Sequence, residues 1–394
     1  MSSYYPITGV IQPYAWGGMT YLSALLGEGN PDGQPMAEYW LGAHPKGPAT
    51  LAEGGTLAEL IDGQARELLG SRVADRFANR LPFLLKILDV KDMLSIQVHP
   101  TKAAAEAGFA REEANGPERT APNRNYRDDN HKPELGVALT DFYLLHGFRD
   151  AAAIRKSLEL VPGWEALLPV LEKDGVPGLY RHVMSAPQED VDRLLGPVVQ
   201  HVTRNKRAYH REEPEFWVRR AAAQYGKNGH HDRGIFSIYW FNIVHLRPGQ
   251  GIFQDAGVPH AYLEGVCVEL MANSDNVLRG GLTPKHIDVP ELLDKTDCSA
   301  VTPALLSPVA ASGGWHHYPT PAPDFSLSVV RSEDGTVMVD TSDGPAILLL
   351  LKGEVSGATG LRLTAERRAA FVPAGEQFSV RVATETELYL AQVG

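Results

Sequence analysis

"LPFLLKILDVKDMLSIQVHP", residues 81–100, is the stretch that decides how the chain reads. Its apolar runs are short, like those of "EYWLGAHPKGPA" nearer the start, and runs of this kind broken by Gly and Pro read as strands and turns. Two of its polar residues are out of place in such a strand. Gln97 and His99 are two apart and point to the same face. If that face is the core, two polar groups are buried together, at a cost unless they are paired. They satisfy one another and the backbone, or they face a common guest. Lys86, within "FLLKIL", poses a similar question, since a buried ammonium needs an anion.

Outward from this stretch the texture changes. A helix is expected within 56–78, and another over 101–118, where Thr101 can cap it and Gly116-Pro117 can stop it. From about 150 to 230, "RDAAAIRKSLELV", "QEDVDRLLGPVVQHVTRNK" and "EEPEFWVRRAAAQYG" carry apolar residues at three-to-four spacing, the pattern of amphipathic helices. Strand texture returns over 235–275. Residues 302–325, dense in Pro, Gly and small residues, read as a linker. Short strands punctuated by Gly follow, which suggests an antiparallel sandwich or jelly roll. "LRPGQGIFQDAGVPHAY" and "LTAERRAAFVPAG" share the outline of turn, strand and tight turn, a faint sign of two related β units. The domains expected are 1–149 and 233–305 as two parts of one catalytic β domain, 150–232 as a helical domain, and 306–394 as a second β domain.

Composition narrows the function. The chain has 394 residues and a formal charge of −11. That balance argues against nucleic acid, whose binders concentrate positive charge, but leaves room for a phosphorylated small molecule. Two cysteines, Cys267 and Cys298, make neither a disulfide framework nor a cysteine metal site, so a reducing compartment is expected. No secretory signal is apparent and "AILLLL" at 346–351 is too short to span a bilayer, so the expectation is a cytoplasmic protein with no membrane partner. The oligomeric state is not legible, and a monomer is compatible with everything above.

Fourteen histidines are too many to be informative singly. His99 stands out by its company: Gln97 beside it, Glu134 in "NHKPEL" just before an apolar strand, and His260 after the turn of "DAGVPHAY". Two imidazoles, a carboxylate and an amide oxygen make a cysteine-free metal site. Zinc accepts such N and O ligands, though imidazole also suits copper, iron and nickel.

Four segments then match a known pattern. "LPFLLKILDVKDMLSIQVHPTK", "NYRDDNHKPEL", "AGVPHAYLEG" and "NSDNVLRGGLTPKHID" together resemble the type I mannose-6-phosphate isomerases, a zinc-dependent branch of the cupin superfamily. The resemblance runs from "YAWGG" to about residue 295 and is thinner through the helical block and the C-terminal third. It implies a mainly β protein, with cupin-type antiparallel β jelly rolls plus an inserted α-helical domain. It implies one zinc per chain on Gln97, His99, Glu134 and His260, with a small phosphorylated sugar as substrate. The reaction implied is aldose–ketose isomerisation of mannose 6-phosphate and fructose 6-phosphate through an enediol. Arg279 matches the arginine placed beside the sugar; outside that setting it would simply pair with Asp275, four residues earlier. For proton transfer Lys132, His131, Asp275 and Glu269 are all open. Ser95, Lys86 and Lys285 fall at the phosphate end. The C-terminal unit, with no histidine after His317, is expected to be a cupin-like domain without metal. A cupin oxygenase using iron and a non-catalytic sugar-binding cupin are the alternatives. Gln97 and the phosphate-side lysine speak against the first, and the complete ligand set with Arg279 against the second.

Overall fold

The computed structural model describes residues 3–332 and 334–394. All eight residues of the strand Phe83–Val90 are buried, because both of its faces are covered. Phe83, Leu85 and Ile87 enter a core shared with Leu349, Phe371 and Tyr389 from the C-terminal third. The alternate residues, Leu84 and Lys86, point the other way, into the space that holds the site. The strand is paired on one side with Glu38–Leu41 and on the other with His260–Ala272, all antiparallel.

His260–Ala272 organises the ten-stranded sheet. Its second half pairs with Phe83–Val90 and Glu134–Ala138, and its first half pairs with Gln97–Val98 and Phe142–Phe148. The register slips between Tyr262 and Glu264. Gly265 follows at φ +122°, where a Cβ would lie 2.5 Å from the Asp141 carbonyl oxygen. Only glycine suits that bend, and it lets one strand serve two layers that fold over the site.

The C-terminal third is a sandwich of an eight-stranded and a four-stranded antiparallel sheet. The sheets do not divide where the expected domains do. Tyr5–Thr8, at the start of the chain, pairs with Ala369–Val372 on one side and Thr50–Leu51 on the other, so the N-terminus completes the C-terminal sheet. The stretch 302–325 is not a free linker either. Leu306 exchanges hydrogen bonds of 2.7 and 2.8 Å with Gly251, and His316–Tyr318 is a strand paired with Ser326–Ser332.

Helices appear as expected at Leu57–Leu69 and Ser71–Arg76, the first closed by a Thr56–Glu59 capping box, and at Lys102–Asn115, capped by Thr101. The helical block comprises Ala151–Leu160, Leu168–Ser185, Gln188–Arg204, Pro214–Tyr225 and Gly234–Trp240. The last of these corrects the strand reading of 235–240. All seven of its residues are buried, with Phe236, Tyr239 and Trp240 against Trp164. Tertiary packing overrides the β propensity of an aromatic-rich run. Among the described residues no helix is long and apolar enough to cross a membrane.

Candidate metal centre and active site

Directly opposed residues of an antiparallel pair share a face. The register therefore lays out a polar row: Arg279 opposite Gln97, Gln97 opposite His260, His260 opposite His146, and His146 opposite Asn242. His99 continues the Gln97 strand by two residues, and its carbonyl accepts from Gly257 in the turn that leads to His260. Glu134 opens a strand of the other layer, opposite Gln254 and Met271.

Donor atoms of His99, Glu134 and His260 lie within 4.8 Å of one another, and all three residues are buried. His99 Nδ1 is 2.9 Å from the Asn276 carbonyl oxygen, and His260 Nδ1 is 3.0 Å from that of Val258. A carbonyl only accepts, so both Nδ1 atoms carry the hydrogen and both Nε2 atoms present a lone pair. Those Nε2 atoms lie 3.4 and 3.3 Å from the two Glu134 oxygens, yet neither finds a hydrogen-bond partner. Burial, reinforced by the Lys132 charge, pushes His99 down to about 4, so the ring is neutral near pH 7. Burial alone would raise Glu134, but the Lys132 charge beside it holds it well below its usual range. Two bare imidazole nitrogens and a carboxylate aimed at one another repel unless a cation lies between them. The residues fit a bound metal ion, and Gln97 shares their face through its register with His260.

Around this trio the charges are paired in a definite way. Lys132 Nζ is 2.8 Å from Glu134 Oε1. Lys86, expected at the phosphate end, lies instead between Glu38 at 3.3 Å and Glu269 at 3.2 Å, with 6% of its surface exposed and Trp40 beneath its ammonium. Burial would lower it, but the two carboxylates outweigh burial and hold it above its ordinary value. The anion that a buried lysine requires is thus supplied by the protein. Burial raises Glu269, which Lys86 only partly offsets. Asp275 forms no ion pair with Arg279; its carboxylate meets Lys46 at 2.8 Å and His44 at 3.7 Å. His131 points to Asp324 of the C-terminal third, with Nε2 2.7 Å from Oδ2. Ser95 is half-buried two residues before Gln97.

Arg279 and Lys285 have a different environment. Burial and the Arg127 charge lower Arg279, and burial with the charges of Arg279 and Arg127 lowers Lys285. Among the described residues, no carboxylate lies within 4.0 Å of any of the three, in contrast to Lys46, Lys86 and Lys132. Three neighbouring cations with no carboxylate partner among the described residues leave positive charge uncompensated at this face.

Arg127, Asn276 and His146 escape the sequence reading. Asn276, 1% exposed, accepts from the Arg127 and Asp128 amides and donates to the Asp128 and Asn130 carbonyls, while its own carbonyl takes the His99 Nδ1–H. It lies in "NSDNVLRGG" beside the singled-out Asp275, but its partners are some 150 residues away and only the fold reveals them. His146 Nδ1 is 2.7 Å from the buried Gln254 Oε1.

Residues 4–151 match the family model of the phosphomannose isomerase type I catalytic domain. The mannose-6-phosphate isomerase of Salmonella typhimurium is 40% identical over 358 residues, 87% of this chain and 88% of that one. That of Escherichia coli K12 is 38% identical over 381 residues, covering 93% and 94%. A crystal structure of mannose 6-phosphate isomerase bound with zinc and yttrium superposes with a TM-score of 0.89 at 36% identity, covering the whole of both chains. With this identity along nearly the full length, and a fold that gathers His99, Glu134 and His260 into one centre, the chain belongs to the type I mannose-6-phosphate isomerase family.

Proposed function

We propose that the chain interconverts mannose 6-phosphate and fructose 6-phosphate, with zinc held by His99, Glu134 and His260 together with Gln97. The observation that carries this is the pair of buried, unpartnered imidazole nitrogens converging on Glu134, beside three cations that have no counter-ion among the described residues. The first feature is a socket for a cation and the second for an anion, which is what a phosphorylated sugar on a metal enzyme requires. Zinc, when bound there, supplies Lewis-acid charge that favours negative oxygens.

The remaining roles belong to the chain's own residues. A proton leaves C2 of the sugar while O1 takes one, giving the enediol; a proton is then delivered to C1 as O2 gives one up. Lys132, at Glu134 and 11% exposed on its side chain, is our choice for the group that carries it, taking the C2 proton as the free amine and returning it to C1 as the ammonium. Arg279, opposite Gln97 in the register, sets a fixed positive charge beside the sugar oxygens, where negative charge develops. Arg127 and Lys285, with Ser95 as a hydroxyl donor, take the phosphate. Lys86 is not given that role, because Glu38 and Glu269 already neutralise it. Asp275 is held by Lys46 and is not our choice for the base. We read 1–149 and 233–305 as the catalytic unit, save that Tyr5–Thr8 and Thr50–Leu51 extend the C-terminal sheet, 150–232 as its helical insertion and 306–394 as a support without metal. A cytoplasmic setting remains our reading of the two unbridged cysteines.

The test is formation of fructose 6-phosphate from mannose 6-phosphate in deuterated water, with oxygen uptake recorded alongside. Product formation without oxygen uptake supports the isomerase. Oxygen uptake would favour the oxygenase reading, and binding without product the sugar-binding one.

A further inference from the structure

Among the described residues of the C-terminal third no cluster of metal ligands converges, yet the unit sends one buried carboxylate toward the active-site strand. Asp324, 2% exposed, precedes Phe325 of the shared core and meets His131 Nε2 at 2.7 Å. A carboxylate removed from water is costly unless it is paired. His131 is the residue immediately before Lys132, and the two side chains go to different places: Lys132 to Glu134 at 2.8 Å, His131 to the other β unit.

The approach to Glu134 is therefore tied at several points. Upstream, Asn276 holds residues 127–130, and Asp128 accepts from Ser274 Oγ and the Asp275 amide. Just before the strand, the Pro133 carbonyl accepts from Ala272. Between these ties lie His131 and Lys132, and Asp324 holds His131 from outside the catalytic sheet. A long lysine side chain keeps a set position only as well as the backbone that carries it, and small displacements of reacting groups are costly in rate.

We propose that Asp324 is a positioning residue for the isomerisation: by accepting from His131 it fixes where Lys132 presents its amino group beside Glu134. This rests on the reading that Lys132 works at the reacting carbons. The unit without metal then contributes to catalysis through this tie.

The experiment uses the full chain with zinc added and compares Asp324→Asn, His131→Asn, the double variant, Lys132→Met and Leu348→Ala. Leu348 is buried in the C-terminal sandwich away from the site and serves as a control for lost stability. For Asp324→Asn the expected result is a kcat roughly ten- to a hundredfold lower, with KM for mannose 6-phosphate and zinc content as in the parent chain. His131→Asn should match it, and the double variant should fall no further than either single one. Leu348→Ala should melt earlier and keep its kcat. A parental kcat in Asp324→Asn, losses that multiply in the double variant, or an equal kcat loss in Leu348→Ala would each overturn the proposal. If Asp324→Asn does not fold, His131→Asn approaches the same contact from its more exposed side, and an unchanged kcat there overturns it equally. A normal kcat in Lys132→Met would instead sink the Lys132 reading. An inactive Lys132→Met beside a fully active Asp324→Asn would sink the positioning role alone.

Discussion

Two passages of this chain have the same outline and opposite contents. In one, the strand Gly251–Gln254 runs into a tight turn and out along a strand that begins at His260. In the other, Ala369–Val372 runs through Pro373–Gly375 into Gln377–Val382. The first buries Gln254 and His260; the second buries Val372 and Phe378. The contrast extends to the units around them. The site face of the catalytic sheet encloses Lys86, His99, Glu134, His260 and Glu269, whereas the C-terminal sandwich packs Val, Leu, Ala, Phe and Trp inside and buries Thr341 and Thr386 with their hydroxyls bonded to carbonyl oxygens. One kind of sheet does either job. What separates an active site from a core is whether the inward polar groups have partners, and whether the last partner is left for a ligand to supply.

The largest expected effect tests that contrast directly. His99→Ala or His260→Ala should lose zinc and lower kcat by about a thousandfold or more, since the metal supplies several kcal/mol of charge stabilisation. The matching truncation in the other unit, Leu348→Ala, should cost about 2–5 kcal/mol of unfolding free energy and leave turnover of the folded enzyme alone. Metal analysis and urea titration read the two outcomes, and a Leu348→Ala enzyme that lost zinc would break the comparison.

Next in size is Lys86→Met. It strands Glu38 and Glu269 in the interior, and one-sided removal of a buried charge partner costs about 3–5 kcal/mol. Urea midpoints measure it; a loss below that of a surface substitution would mean the cluster is not charged as drawn. Its counterpart is Arg127→Ala or Lys285→Ala, which should cost little stability. Each should shrink the preference for mannose 6-phosphate over free mannose, as a ratio of kcat/KM values, by roughly 10- to 100-fold, the worth of one charge-assisted contact. If Lys86→Met moves that ratio and Arg127→Ala does not, the cations have been assigned the wrong way round.

The smallest effect is in pH. Burial would raise Asp275, but the Lys46 bond and the His44 charge hold it below its usual value. A depressed carboxylate adds stability in full above its unfolded pKa, about 3.9, and loses it as pH falls through the lower folded value. Lys46 is half exposed, so this amounts to at most about 1 kcal/mol. Asp275→Asn should flatten the acid limb of the stability curve below about pH 4 by that amount. An acid limb of unchanged slope would remove the pair from the account.

Part of the candidate site was legible because strand periodicity is local, and the resemblance to the type I isomerases chose its ligand set. Gln97 and His99 are two apart, and Glu134 and His260 each stand at the start of a strand, so residue type and spacing were informative. Lys86 was half legible: an apolar run with one lysine demands an anion, but the run does not say which, and Glu38 and Glu269 arrive from two other strands. Arg127, Asn276 and Asp324 act across about 150 to 190 residues of chain, distances that periodicity does not encode. The helix Gly234–Trp240 was misread because burial on all sides erases both the two-residue and the 3.6-residue pattern.

The most direct test of the account is a zinc titration of the metal-stripped chain, with fructose 6-phosphate formation read at each point. The account predicts negligible turnover without metal and recovery that saturates at about one zinc per chain. It predicts no recovery in Glu134→Ala at the same zinc level. Full turnover in the stripped chain, or zinc-restored turnover in Glu134→Ala, would contradict it.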